Sequence, residues 1–132
     1  MHERRVVTAL FADLARSTNL GESLDPEVVR GMVGRFFELA TTEIERFGGT
    51  VEKFSGDAVM AVFGIPLAHE DDPERAVRAA IAIRDGVGRI ADDTRERHGI
   101  ELQARIGIES GEVVERDGFV FADVLPMSEI TK

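Results

Sequence analysis

The sequence predicts a small α+β domain, an antiparallel sheet with two amphipathic helices on one face in the order βαββαβ. Three observations predict it. Two apolar stripes recur at helical spacing, each opening on an acid-proline start and closing on glycine. Short β-branched and aromatic runs lie before, between and after them. A Ser55-Gly56-Asp57 turn joins two of those runs as a tight hairpin.

Residues 5–12 read as the first strand. Val6-Val7-Thr8-Ala9-Leu10-Phe11-Ala12 is nearly continuous in apolar character, which is the pattern of a strand buried on both faces at the sheet centre. Ser23-Leu24-Asp25-Pro26-Glu27 offers a cap, a proline at the first helical position and an acid in the first turn, so a helix starts at Pro26. Val28, Val29, Met32, Val33, Phe36, Phe37, Leu39, Ala40 and Ile44 form its stripe, with Met32, Phe36 and Phe37 going to core or to a dimer surface, and Phe47-Gly48-Gly49 ends it. Thr50 to Ser55 and Ala58 to Phe63 are the hairpin strands. Gly64-Ile65-Pro66 breaks the pattern, and Glu70-Asp71-Asp72-Pro73-Glu74 repeats the helix start, with His69 read as part of it. The second stripe is Ala76, Val77, Ala80, Ile81, Ile83, Val87 and Ile90, closed by His98-Gly99. Leu102, Ala104, Ile106 and Ile108 alternate with Glu101, Gln103, Arg105 and Gly107, a strand with one solvated face.

That order is the ferredoxin-like plan, whose first and third strands are antiparallel neighbours. The end of the first strand then lies beside the start of the third, so Asp13 and Asp57 come to one sheet edge. At 132 residues, 43% hydrophobic and 31% charged, the chain suits one globular domain spanning 1–132. No apolar run nears the ~18 residues of a membrane span, so no membrane segment is expected and the reading is cytoplasmic. Zero cysteines exclude disulfides, thiolate zinc sites and a cysteine nucleophile. A formal charge of −9 argues against nucleic acid as a partner. An acidic domain that handles an anion needs cations placed locally.

Asp13 and Asp57 meet that need. Strand-end aspartates also cap turns, but two carboxylates side by side, with no strong counter-charge in view, repel each other, and a pair of divalent cations relieves the conflict. The amides of Leu14, Ala15, Arg16, Ser17 and Thr18, turning into the next element, would cradle phosphates; Ser17 and Thr18 also read as plain caps. Arg105, on the polar face of the last strand, reads either as a phosphate ligand or as a surface residue.

Several segments at matching spacing carry a resemblance: Phe11-Ala12-Asp13-Leu14 with Ser17-Thr18; Gly48-Gly49 through Lys53-Phe54-Ser55-Gly56-Asp57 to Phe63-Gly64; His69-Glu70-Asp71-Asp72 with Glu74 to Ala80; and Arg105-Ile106-Gly107-Ile108 with Gly111-Glu112. Over 5–114 the chain resembles the class III adenylate and guanylate cyclases of bacterial type. The resemblance implies Mg2+ or Mn2+, two ions, on Asp13 and Asp57 with the Leu14 carbonyl as a further ligand. It implies substrate contacts at Ala15, Arg16, Ser17, Thr18, Gly56, Lys53 and Arg105. Lys53 matches the purine-selecting lysine that reaches the site whose metals the other subunit holds; its alternative is a solvated strand lysine. The implied substrate is ATP or GTP, the implied assembly a homodimer or a heterodimer with another cyclase domain, and the implied role cyclic nucleotide signalling.

The tail departs from the family. Laying Asp123 on the second aspartate of Asp-x-x-Gly-Asp-x-Val-Asn-x-x-x-Arg puts Phe119 at the purine-selecting aspartate, Pro126 at the asparagine and Ile130 at the arginine, and no Asn-x-x-x-Arg follows Arg105. Arg16 stands where a small residue is common and Glu109 where a histidine is common. The expectation is a cyclase fold lacking its C-terminal part, with 115–132 a divergent tail, inactive or weakly active alone. The alternatives are a non-catalytic dimerisation or regulatory module that pairs with a complete subunit, and a truncated gene product. The truncation reading carries a further expectation, an exposed apolar patch or a dimer that hides it.

Overall fold

A computed structural model describes residues 2–18, 25–116 and 119–122, with side chains over 5–16 and 25–112. The elements follow as β1 (His2–Thr18), α1 (Pro26–Arg46), β2 (Thr50–Ser55), β3 (Ala58–Phe63), α2 (Asp72–His98), β4 (Ile100–Arg116) and β5 (Phe119–Ala122). All strand pairs are antiparallel, in the order β2-β3-β1-β4-β5. The βαββαβ plan is therefore present, with β1 central, and β5 is an addition that the pattern did not announce.

Each helix forms as its termini dictate. The Asp25 carboxylate caps α1 by accepting from the Glu27 N–H at 2.8 Å, and Met32, Phe36, Ala40 and Ile44 form its buried stripe. α2 ends on Gly99 at φ 67, the left-handed conformation that glycine reaches without strain. Its N-terminus differs from expectation: Asp71 caps nothing through its side chain and instead pairs with Arg75 at 2.8 Å, while buried Asp72 accepts from the His69 N–H at 2.9 Å. Its buried stripe is also rotated from the predicted one. Ala76, Ala79, Ile83, Gly86, Val87 and Ile90 face inward, while Val77 and Ile81 are exposed, and the close approach to α1 falls at Gly86, where only a glycine leaves room for Leu39.

Both helices lie on one face of the sheet. Phe36, Ala40 and Ile44 of α1 and Ala76, Ile83 and Val87 of α2 share one core with Leu10, Ala12 and Leu14 of β1 and with Val59, Ala61 and Phe63 of β3. The other strand residues of β1 (Val7, Ala9, Phe11 and Asp13) point to the opposite face, helix-free among the described residues, and are buried as well. Burial on both faces is what the continuous apolar run of β1 requires. Phe37 is half-buried and packs on Phe54, ring centroids 4.5 Å apart.

Candidate functional site

The β1–β3 ladder pairs Asp13 with Ala58, the first residue of β3, so Asp57 falls on the turn just beyond. Ser55 pairs with Ala58 and leaves Gly56 and Asp57 as a two-residue loop, with Gly56 at φ 59 as a tight hairpin turn requires. The Leu14 N–H donates to the Asp57 backbone oxygen at 3.3 Å, tying the turn to β1. In an antiparallel strand one residue's N–H and C=O point the same way. The Leu14 carbonyl therefore lies on the Asp57 side.

Neither carboxylate lacks a counter-charge, which corrects the expectation of two bare, repelling acids. Arg105 stands opposite Asp13 in the β1–β4 ladder and donates twice to it, Nε to Oδ1 at 3.0 Å and Nη2 to Oδ2 at 3.2 Å. Arg16 donates to Asp57 Oδ2 at 2.9 Å. The two arginines thus hold the aspartates rather than standing open as phosphate ligands, and both were invisible as partners in sequence. A clue existed for Arg105, since the first and last strands of this plan are neighbours, with Asp13 at the end of one and Arg105 on the polar face of the other.

The expected phosphate cradle is also corrected. Residues 14–18 do not turn into the next element: β1 runs on to Thr18, paired with β4 down to Ile100. With the Leu14 amide given to Asp57, alternation directs the Ala15 and Ser17 amides to β4 and those of Arg16 and Thr18 to the other side of β1, where no described strand pairs with them. The side chains of Ser17 and Thr18 lie outside the described residues. Beside this edge a pocket of about 350 Å³ is lined by Ala15, Arg16, Glu101 and Gln103.

Lys53 sits apart. It pairs with Met60, and Met60 with Phe11, one pleat along from the Asp13 row; by ideal strand spacing its Cα is roughly 12 Å from that of Asp13. A bulge at Glu52 matters here. The register changes between Val51 and Lys53, so that Lys53, rather than Glu52, shares the helix-free face with Asp13. Without the bulge Lys53 would point toward the helices. Phe119 opens β5, and its side chain, like Pro126 and Ile130, lies outside the described residues.

Among the described residues no three His, Asp or Glu side chains group closely enough to hold a metal ion. Asp13, Asp57 and the Leu14 carbonyl are hard oxygen donors too few for a free-standing cage. They fit a magnesium-like cation that brings phosphate oxygens with it, since such ions bind proteins through one or two carboxylates.

An α+β sheet with a two-aspartate edge is the class of domain that fold and site define. Residues 1–119 match the adenylate and guanylate cyclase catalytic domain, and the chain belongs to that family. Adenylate cyclase 1 of Rhizobium meliloti is 32% identical over 111 residues, 84% of this chain and 17% of that protein. An uncharacterized protein of Mycobacterium tuberculosis is 35% identical over 112 residues, 85% of this chain and 19% of its own length. The crystal structure of the adenylyl cyclase CyaB from P. aeruginosa superposes with a TM-score of 0.78 at 25% identity, over 96% of this chain and 68% of that one. The chain spans about a fifth of the length of these curated relatives. No helix among the described residues is long and apolar enough to cross a membrane.

Proposed function

We propose that this domain binds ATP together with Mg2+ or Mn2+ at the Asp13–Asp57 edge, as half of a two-subunit site in which ATP is converted to cyclic AMP and pyrophosphate. The observation that carries the reading is the Leu14–Asp57 contact, which ties both aspartates to one sheet end in a chain of the cyclase family. The cations, when bound, would supply positive charge to the triphosphate and to the oxygens gaining charge in the reaction. In the reaction the ribose 3′ oxygen loses its proton and bonds to the α-phosphorus as the bond to pyrophosphate breaks. Asp13 and Asp57 would hold the cations that bind the triphosphate, and the amides of Arg16 and Thr18 on the side away from β4 would donate to phosphate oxygens. Lys53, two strands away from Asp13 on the same face of the sheet, would read the purine of the partner's site.

Turnover by this chain alone would be slow. Phe119, Pro126 and Ile130 stand where the family pattern carries aspartate, asparagine and arginine, and losing one preorganised donor typically costs ~10²–10³ in rate. The same departures favour a second reading, a regulatory module that pairs with a complete subunit and lends it the Asp13–Asp57 edge. Mixing with an active cyclase tests that reading, which an unchanged activity and an unchanged mass would exclude.

Thermal melting with Mn2+-ATP and Mn2+-GTP tests the first. A ligand at a hundred times its Kd stabilises by ~2.7 kcal/mol, so the wild-type chain should melt several degrees higher with Mn2+-ATP and Asp57→Ala should not. An unshifted wild-type melt would refute the nucleotide reading, and a larger shift with GTP would reassign the base.

A further inference from the structure

Arg16 already holds one oxygen of the Asp57 carboxylate, the group that a cation would bind. Arg16 Nη1 contacts Asp57 Oδ2 at 2.9 Å, with both side chains about a third exposed (34% and 33%). It is a single contact open to water, the kind of ion pair that exchanges readily. Asp13 is different in kind: its side chain is 10% exposed and bound by two parallel hydrogen bonds to Arg105. The turn backbone is pinned at Leu14, so the Asp57 carboxylate can change partners without moving the hairpin. Among the described residues the acid that shares the Arg16 pocket is Glu101, and it is paired with Arg95 at 3.4 Å.

We infer that Arg16 and a divalent cation compete for Asp57, and that the displaced Arg16 is handed to the polyphosphate arriving with the cation. Arg16 thereby sets specificity for a cation–nucleoside triphosphate complex over the free cation. The physical reason is the balance of charge. A lone cation at Asp57 either takes the oxygen from Arg16 or shares the carboxylate with it, and in both cases sits beside a guanidinium of like charge, which disfavours it. A cation carrying a triphosphate offers the same guanidinium several anionic oxygens, and charge-assisted hydrogen bonds to phosphate replace the one lost. This inference rests on the nucleotide reading above.

The test measures binding rather than turnover. Free Mn2+ is followed by electron paramagnetic resonance on the 132-residue chain, with Mn2+ alone and with Mn2+ plus a non-hydrolysable ATP analogue. Arg16→Ala should bind Mn2+ alone about two- to fivefold more tightly than wild type, the scale of an exposed ion pair. It should bind the Mn2+-analogue complex roughly tenfold more weakly, the scale of a charged hydrogen bond. Arg16→Lys, which keeps the charge, should retain the wild-type order of affinities. If Arg16→Ala shifts both affinities in the same direction, or neither, while Asp57→Ala still removes wild-type binding, the exchange is wrong and the nucleotide site stands. If wild type binds neither ligand in an Asp57-dependent way, the site reading and this inference fall together.

Discussion

Asp13 and Arg105 face each other across β1 and β4 and are joined by two hydrogen bonds, of 3.0 and 3.2 Å, although 92 positions separate them in sequence. The carboxylate is nearly buried while the guanidinium is half in solvent, 10% against 55% exposed. That asymmetry decides which partner the fold depends on.

Arg105→Ala leaves a buried carboxylate without its cation and donors, whereas Asp13→Asn leaves an exposed arginine that water can solvate. The first change should lower stability by about 1–3 kcal/mol and the second by less. Urea denaturation of both variants checks the order. Equal losses would mean that Asp13 finds another partner when Arg105 is gone.

Gly49 is required by packing rather than by backbone conformation. A methyl group there would lie 2.7 Å from two ring carbons of Phe63 and 2.9 Å from Ile44 Cγ2, and both side chains are fully buried. Gly49→Ala should cost roughly 1–3 kcal/mol, the usual range for forcing extra volume into a filled core. The urea midpoint should fall with the slope unchanged. An unchanged midpoint would show that the Phe63 ring has room to move.

How much of this was legible in sequence follows from the range of each signal. The α1 cap at Asp25, the Gly99 stop and the Gly56-Asp57 hairpin are local signals, and the structure has them where the residues pointed. The proximity of Asp13 and Asp57 was legible because strand order alone implies it. What escaped depends on register and on packing between distant segments. The rotation of the α2 stripe follows from Gly86 meeting Leu39 on α1, and the face of Lys53 follows from the bulge at Glu52. The arginine partners depend on which residues meet across two ladders. β1 outran its predicted end because Ala15 to Thr18 gain pairing from β4, a context no window of β1 contains.

Arg35 and Asp93 clamp the two helices together, and Arg97 joins them. The hydrogen bond from Arg35, helped by the charge of Arg97, holds the Asp93 carboxyl below its ordinary value of 3.8. Asp71 is lowered in the same direction by its hydrogen bond from Arg75. A carboxyl lowered by folding contributes stability that is present above its unfolded pKa and lost as pH falls through the folded value. The melting temperature of wild type should therefore exceed that of Arg35→Ala at neutral pH, and the gap should close as the pH is taken from neutral to well below the ordinary carboxyl value. A gap that stays constant over that range would show that Arg35 acts through packing alone.

Lys53 and Asp57 are expected to serve different sites of one pair of subunits, and mixing two variants separates this arrangement from a site within one chain. Lys53 is exposed on the edge strand β2, so Lys53→Ala should change stability by no more than ~0.5 kcal/mol while weakening ATP binding. Asp57→Ala should remove the cation and with it the nucleotide. In a mixed pair, the subunit carrying Lys53→Ala still offers intact Asp13 and Asp57, and its Asp57→Ala partner still offers Lys53. One of the two shared sites is then complete and the other lacks both residues. Binding of labelled ATP with Mn2+ should accordingly rise when the two variants are mixed, above the average of the two measured apart. If Lys53 and Asp57 act within one chain, every site in the mixture lacks one of them and mixing restores nothing.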